Sequence, residues 1–256
     1  MIAVPGFERY PDGAAAAADL GARLAVATPG LVLAAAAVSD AQAREPSLLP
    51  GWTRGHVLTH VARNADGLRN LLIWARTGVE APQYASAEER EAGIARGADR
   101  PAAELRADVE ASAAAFAAEA ASLSGADWDA EVRGLRGKGH PAWYTLWRRL
   151  TEVEIHHLDL GTGYLAADWP AAFSEQALAR LAIEFRAPEC PRVSLHAADT
   201  GLEYEIGPGA PAAEPAAAVP VVTGRTTQLV AWLIGRGDGA ALATRPPGPL
   251  PAVPPW

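Results

Sequence analysis

Residues 151–160, TEVEIHHLDL, place three carboxylates and two imidazoles within ten positions. In a helix, Glu152 and His156 stand four residues apart and share one face, with Cβ atoms roughly 6 Å apart. His157 lies about 100° round the same helix from His156, so the two imidazoles do not point into one site. Glu152 and His156 therefore form part of a possible metal site that needs a third ligand from elsewhere in the chain.

The third ligand is sought on a second predicted helix, where His56 and His60 stand four residues apart. Zinc is tetrahedral, and a catalytic site keeps one position open, so three protein ligands are enough. His60, Glu152 and His156 make such a set, drawn from facing helices. His56 would close the site, but its place in the first helical turn favours surface hydrogen bonding. Spacing alone leaves a cluster of surface ion pairs as an equal alternative for the triad.

The remaining histidines and the single cysteine are assigned no chemistry. His140 lies in a glycine-rich loop and His196 in a predicted strand, where a surface or structural role is expected. Cys190 stands between glutamate and proline without a CxxC partner, which favours a bystander over a nucleophile. One cysteine also excludes an intramolecular disulfide and is typical of the reducing cytoplasm.

Composition and charge exclude several classes of protein. The 256 residues are 50% hydrophobic and 20% charged, as in a soluble globular protein. The formal net charge is −8 and no basic block stands out, so no nucleic-acid binding is expected. No signal peptide is apparent, and the longest apolar run, Leu31–Val38, is shorter than the roughly 20 residues of a membrane span. We expect a soluble, cytoplasmic monomer that binds no membrane.

Long helices are predicted for the first two thirds of the chain. Residues 11–43 are rich in alanine and leucine, with an interruption at Pro29. Thr53 caps a helix that runs to about Arg76. Further helices span residues 101–123 and 141–160. Residues 77–100 are typical of a loop, in which 87–94 can form a short helix, and residues 124–139 are rich in turn formers. This pattern favours an antiparallel bundle.

The pattern changes after residue 168. A helix is predicted over residues 174–186, then two paired strands, 192–197 and 202–206, about the turn at Asp199. A loop at 207–215 leads to a strand at 218–223, a helix at 226–234 and a last strand at 240–244. The fold class is therefore α+β: a helical bundle in residues 1–168 and a small α/β domain in residues 169–256.

The order of several motifs resembles the mycothiol-dependent maleylpyruvate isomerases, members of the DinB-like superfamily of helical-bundle metalloproteins. The motifs are LPGWTRGHVLTH at 49–60, VARNADG at 61–67, WARTG at 74–78, YAS at 84–86, EVEIHHLDLG at 152–161 and VAWLIGR at 230–236. Each motif is moderately specific, and their order and separations carry more weight. The resemblance covers most of the chain and implies a four-helix bundle followed by a small C-terminal domain.

The resemblance also implies roles for particular residues. Zinc binding by a histidine of the second helix and a Glu-x-x-x-His pair on the fourth falls on His60, Glu152 and His156. An active-site arginine from the C-terminal domain falls on Arg236, with Arg225 as a rival. The alternative for Arg236 is a cation that caps the end of a helix.

Two further residues are placed near the predicted metal site by helical spacing. Asn64 lies one turn beyond His60 on the same face, within reach of the metal site or a bound thiol, and is predicted to contact the cofactor. Asp159, three residues after His156, is suited to orienting that imidazole. An equally supported alternative makes Asp159 a helix-end or inter-domain hydrogen-bonding residue.

The implied reaction is conversion of the dianion maleylpyruvate to fumarylpyruvate. A double bond does not rotate, so a thiolate must add, allow rotation and leave. Since Cys190 is poorly placed, an external thiol, mycothiol, is required, and zinc lowers its pKa. Arg236 holds the anionic intermediate. Other divalent ions also fit His and Glu ligands.

Two other functions stay open. One is a mycothiol S-transferase that attaches the thiol to another electrophile and consumes it. The other is a non-catalytic zinc-binding sensor or carrier whose C-terminal domain binds a small apolar molecule.

Overall fold

A computed structural model describes residues 4–135, 137–209 and 219–256. The chain divides into two compact units, Met1–Tyr164 and Leu165–Trp256. The division falls a few residues before the boundary predicted after residue 168. The short 3-10 helix Ala166–Asp168 therefore belongs to the second unit.

The first unit is helical. Its helices are α1 (Gly13–Ala37), α2 (Asp40–Arg44), α3 (Arg54–Thr77), α4 (Ala87–Ala98), α5 (Ala102–Ser122) and α6 (Tyr144–Asp159). The four long helices close a ring, since α1 packs on α5 and α6, and α3 packs on the same two helices. Helix α4 lies against α3. Buried leucines fill the interior, among them Leu20, Leu68, Leu105 and Leu150.

The first unit departs from the predicted helices in three places. Helix α1 continues through Pro29 rather than breaking there, because Pro29 and the preceding turn at Ala25 are exposed and the lost backbone bond can be made to water. Helix α1 ends at Ala37, before the predicted helix end at residue 43, and Ser39 caps the separate helix α2. Within the loop predicted at 77–100, the short helix considered at 87–94 is present and extends to Ala98 as α4, which Ser86 caps by accepting from the Glu89 amide.

A two-stranded hairpin follows the third long helix. Strands β1 (Glu131–Arg133) and β2 (Gly139–Pro141) pair antiparallel, with Val132 opposite His140. The sequence predicted only turns over residues 124–139. Both Val132 and His140 are buried, so the hairpin adds to the wall of the bundle.

By length and composition alone, α1 is the one helix in the described part of the chain that could cross a bilayer. This differs from the prediction made from the run Leu31–Val38, because alanines raise the hydropathy of the whole helix. A core helix passes the same test. Leu20, Leu24 and Leu31 of α1 are buried, and the helix packs on α5 and α6.

The second unit combines two helices, α7 (Ala171–Glu184) and α8 (Thr226–Leu233), with a four-stranded sheet. Its strands are β3 (Val193–Ala197), β4 (Glu203–Ile206), β5 (Val221–Gly224) and β6 (Ala243–Arg245), in the order β4-β3-β5-β6. Strands β3 and β5 are parallel and the other pairs antiparallel, with Leu195 opposite both Tyr204 and Val222. Part of the predicted loop 207–215 and the predicted strand start at Ala218 lie outside the described residues. The predicted α+β class is confirmed.

Candidate metal centre

Helix α3 carries His60 into the interior of the first unit. Thr53 caps the helix, and its hydroxyl accepts from the amide of His56 at 3.3 Å. The His56 imidazole closes the same capping box, with Nδ1 2.7 Å from the Thr53 hydroxyl. One turn later His60 faces the core, with 4% of its side chain exposed. His56 therefore belongs to the cap of α3, and His60 lies in the interior of the first unit.

Helix α6 presents Glu152, His156 and Asp159 as successive turns of one face. Glu152 Oε2 lies 3.1 Å from His156 Nε2, as four-residue spacing in a helix allows. His156 Nδ1 lies 2.9 Å from Oδ2 of Asp159. Asp159 is fully buried, so its carboxylate fixes the plane of the His156 ring.

His60, Glu152 and His156 bring three donor atoms within 4.8 Å of one another. Glu152 Oε2 lies 2.9 Å from His60 Nε2, across 92 residues of sequence. The two imidazole rings meet edge to face, with centroids 4.6 Å apart. Glu152 is 28% exposed and His156 is 12% exposed, so the cluster opens at the carboxylate.

The three groups shift one another's protonation. Burial acts to raise the pKa of Glu152, but the adjacent His60 and His156 outweigh it and hold that pKa well below its usual range. Burial also acts to lower the pKa of His156, yet its bonds to Asp159 and Glu152 raise that pKa to about 9. For His60, burial dominates over the Glu152 carboxylate and lowers the pKa. Near neutral pH the cluster therefore holds a carboxylate, an imidazolium at His156 and a neutral His60.

Residues 82–90 add two groups to the cluster that spacing in the sequence did not indicate. Nη2 of Arg90, on α4, lies 3.3 Å from His60 Nδ1, and the Arg90 guanidinium carbon lies 6.0 Å from the centre of the Tyr84 ring. Burial, together with the Glu152 carboxylate, raises the pKa of Tyr84, so the phenol keeps its proton. The motif YAS and the possible short helix at 87–94 were the sequence signals for this segment, and neither singled out Arg90.

Gly67 allows this segment to approach α3. A Cβ at Gly67 would lie 2.7 Å from the Gln83 carbonyl oxygen and 3.0 Å from the Tyr84 ring. Gln83 is buried, and its side-chain oxygen accepts from Arg148 at 2.9 Å. The close approach therefore fixes Tyr84 beside the bundle.

Asn64 is bound to an arginine that the sequence did not single out. Arg149, on α6, is buried and donates through Nη1 to Asn64 Oδ1 at 3.0 Å and to the Val61 carbonyl at 2.8 Å. Burial lowers the pKa of Arg149 to about 10, which leaves it cationic at neutral pH. Its Nη2 is buried without a hydrogen-bond partner among the described residues. The Asn64 oxygen thus supports Arg149, and contact of Asn64 with a thiol cofactor stays a prediction.

The other histidines are engaged away from the cluster. His157 stacks on Tyr164 with ring centroids 3.8 Å apart. His140 Nδ1 lies 3.0 Å from the Pro141 carbonyl, and burial lowers the pKa of His140 to about 4. His196 lies in β3, where it pairs with Glu203 across the strands.

In the second unit, Arg225 and Arg236 line the same cavity of about 520 Å³. Arg236 donates through Nη1 to the Ile234 carbonyl at 2.7 Å, at the C-terminal end of α8. Arg225 Nε lies 3.7 Å from Asp199, and its side chain is 71% exposed. Cys190 is a buried free thiol and does not line the cavity.

Models of known protein families match both units of the chain. The family model of the mycothiol maleylpyruvate isomerase N-terminal domain matches residues 24–161, and that of the MDMPI C-terminal domain matches residues 163–255. No curated protein matches the chain significantly.

Two solved structures are similar over nearly the whole chain. One is a crystal structure of the mycothiol-dependent maleylpyruvate isomerase, 31% identical, with a TM-score of 0.86, covering 94% of this chain and 97% of that one. The other is a histidine-to-alanine mutant of a mycothiol-dependent maleylpyruvate isomerase, 30% identical, with the same TM-score and coverage. The resemblance found in the sequence is confirmed, and the chain belongs to the mycothiol-dependent maleylpyruvate isomerase family of enzymes.

Proposed function

We propose that the chain is a zinc- and mycothiol-dependent isomerase that converts maleylpyruvate to fumarylpyruvate, with His60, Glu152 and His156 as the zinc ligands. The observation that carries the proposal is the convergence of these three donors in a chain of this family. Two nitrogens and one carboxylate oxygen suit a catalytic zinc ion, which keeps a fourth position open.

The structure around the cluster fits a metal ion. Glu152 offers one oxygen to both imidazoles, so a cation there would find an ionised carboxylate with its lone pairs directed inward. Asp159 accepts from His156 Nδ1, the kind of outer contact that leaves Nε2 free to bind metal. Zinc would supply Lewis acidity that lowers the pKa of a thiol, and mycothiol would supply a thiolate able to add to the double bond and leave again.

Residues of this chain are proposed to bind the substrate and to fix the orientation of the His156 ring. Asp159 keeps the His156 ring in one plane. Arg236 is proposed to grip a carboxylate of the substrate and to stabilise the anion that develops during isomerisation, because guanidinium binds carboxylates bidentately. Mycothiol contact is proposed for Asn64, beside Arg149.

A spectrophotometric assay of the purified protein with maleylpyruvate tests the proposal. Conversion is expected only with mycothiol present, lost on chelation and restored by zinc, without net consumption of thiol. Conversion without thiol contradicts the mechanism. Stoichiometric loss of thiol identifies an S-transferase, and zinc binding without turnover of any thiol–electrophile pair identifies a sensor or carrier.

A further inference from the structure

Arg90 is half-buried on α4 and points a donor at a proposed zinc ligand. Its Nη2 lies 3.3 Å from His60 Nδ1. Guanidinium has five N–H donors and no acceptor, so His60 must offer the Nδ1 lone pair. A proton of the His60 ring then lies on Nε2, where Glu152 Oε2 accepts it at 2.9 Å.

The two histidines of the cluster differ in this respect. His156 turns Nδ1 to the Asp159 carboxylate at 2.9 Å, an acceptor that holds a proton on Nδ1 and leaves Nε2 available. A histidine that binds metal through Nε2 carries its proton on Nδ1 and donates it to an oxygen acceptor. Arg90 cannot accept that proton. The contact between Arg90 and His60 is therefore incompatible with metal binding through His60 Nε2.

Arg90 also lacks a carboxylate partner in the described part of the chain. Across residues 4–135, 137–209 and 219–256, no carboxylate forms an ion pair with it, whereas Arg96 on the same helix pairs with Glu89 at 3.1 Å. Its other close neighbour is the Tyr84 ring. A half-buried guanidinium released from His60 would keep its contact with Tyr84 but would have no carboxylate partner among those residues.

The charges around the cluster favour an anionic ligand. Two carboxylates, those of Glu152 and Asp159, lie among the cationic groups Arg90, Arg149 and His156. A divalent ion adds net positive charge to this largely buried set even when it displaces a proton from His156. Buried charge is stabilised by a counter-charge at close range, and a dianion supplies it.

We propose that Arg90 leaves His60 when the metal site is filled and holds a carboxylate of the dicarboxylate substrate beside the metal. The planar fork of guanidinium matches a carboxylate bidentately. The inference rests on the proposed function, since the dicarboxylate is taken from it. It makes Arg90 a substrate-binding residue of the first unit.

Direct binding tests the proposal without turnover. Maleate is titrated calorimetrically into the zinc-loaded wild-type protein and into Arg90→Gln, Arg90→Lys and Arg96→Gln. Maleate affinity should fall about tenfold or more in Arg90→Gln, less in Arg90→Lys, and stay unchanged in Arg96→Gln. Equal maleate affinity in all four proteins, or no binding to the wild type, overturns the proposal.

Zinc affinity separates substrate binding from support of His60. If Arg90 must release His60, Arg90→Gln should bind zinc as tightly as the wild type or more tightly, because a neighbouring positive charge is removed. Weaker zinc binding in Arg90→Gln would mean that Arg90 supports His60 as a ligand. That result would overturn the proposal that Arg90 leaves His60 when the metal binds.

Steady-state kinetics complete the test. With maleylpyruvate, Arg90→Gln should raise KM about tenfold or more while kcat changes less, as expected when ground-state binding is lost. An unchanged KM in Arg90→Gln counts against the proposal. A wild type that binds maleate through Arg90 but does not convert maleylpyruvate contradicts the proposed function and leaves the Arg90 site supported.

Discussion

The rings of His60 and His156 meet edge to face at an interplanar angle of 87°, and each turns its Nε2 to the same oxygen of Glu152. The two histidines come from different helices of the bundle, so the packing of α3 on α6 sets the distance between them. Their Nδ1 atoms face opposite kinds of neighbour, a carboxylate at His156 and a guanidinium at His60. The proposed ligands are therefore similar in chemistry and different in support.

Replacement of His60 by alanine should abolish metal binding and turnover. It removes one of three donors, so the loss of zinc affinity should exceed the roughly 10- to 100-fold typical of losing an outer contact. His56→Ala is the matched control on the same helix. It removes only part of the cap at Thr53 and should cost about 0.5–1 kcal/mol of stability with zinc retained. Zinc content by atomic absorption and thermal melts check both variants, and a zinc-replete, active His60→Ala protein would contradict the assignment.

Asp159→Asn should weaken zinc binding by about 10- to 100-fold with the fold intact. The amide can still accept from His156 Nδ1 but lacks the charge that raises the basicity of the ring. Glu154→Gln, on the same helix, changes a carboxylate that accepts from Tyr164 and should leave zinc affinity unchanged. Competition with a chelating dye measures both variants. Equal affinities in the two variants would favour the alternative role of Asp159 as a helix-end residue.

Zinc binding at neutral pH should release about one proton. In the metal-free protein the pKa of His156 is raised to about 9, whereas that of Glu152 is held low and that of His60 is lowered. Only His156 therefore has a proton to lose, and apparent zinc affinity should rise about tenfold per pH unit up to about pH 9. Calorimetry in buffers of different ionisation enthalpy measures the number of protons released. Zinc binding without proton release would show that His156 is already neutral.

The same shift affects the metal-free fold. A pKa raised above the usual value of about 6.5 stabilises the folded state fully below that pH. The contribution is lost as pH rises through about 9, so the melting temperature of the metal-free protein should fall over that interval.

Helical periodicity was sufficient to place Glu152 and His156 on one face, because the relation is local and repeats every 3.6 residues. His60 followed from the ligand number of zinc and required a second helix with a histidine in its interior face. Long-range packing places the other groups of the cluster, Tyr84 and Arg90. Neither the spacing nor the composition of residues 77–100 showed that α4 would place Arg90 beside His60.

The hairpin and the continuous α1 were missed for physical reasons. Strands β1 and β2 are three residues each, too short for an alternating pattern. Proline normally ends a helix, yet Pro29 lies on the exposed side of α1. Arg149 is unusual in another way, because burial of an arginine depends on the partners that the fold supplies, here Val61 and Asn64.

Gly67→Ala should destabilise the protein by about 1–3 kcal/mol, because the added methyl group meets the backbone oxygen of Gln83 and the Tyr84 ring. The same displacement should raise KM, since residues 83–90 carry Tyr84 and Arg90. Gly21→Ala is the control, because it also adds a methyl group within a helix but meets nothing within 4 Å. That change should stabilise the protein by about 0.5–1 kcal/mol. Denaturant unfolding and steady-state kinetics compare the two, and equal stabilities would contradict the close approach.

Conservative replacement of the two arginines in the second unit distinguishes their roles. Arg236→Lys keeps the positive charge but loses the planar fork, so kcat/KM should fall by about 100-fold, comparable with loss of one preorganised donor. Fold and zinc content should be retained. Arg225→Lys changes a residue that lines the same cavity but is mostly exposed and lies near Asp199, and it should keep most activity.

The alternative for Arg236 predicts a different result. If its bond to the Ile234 carbonyl only caps the end of α8, Arg236→Lys should lower the melting temperature and leave kcat/KM unchanged. A loss of activity confined to Arg225→Lys would assign the substrate carboxylate to Arg225 instead. Circular dichroism, zinc analysis and initial rates on both variants separate these outcomes, because only a substrate-binding arginine changes kcat/KM without changing either fold or metal content.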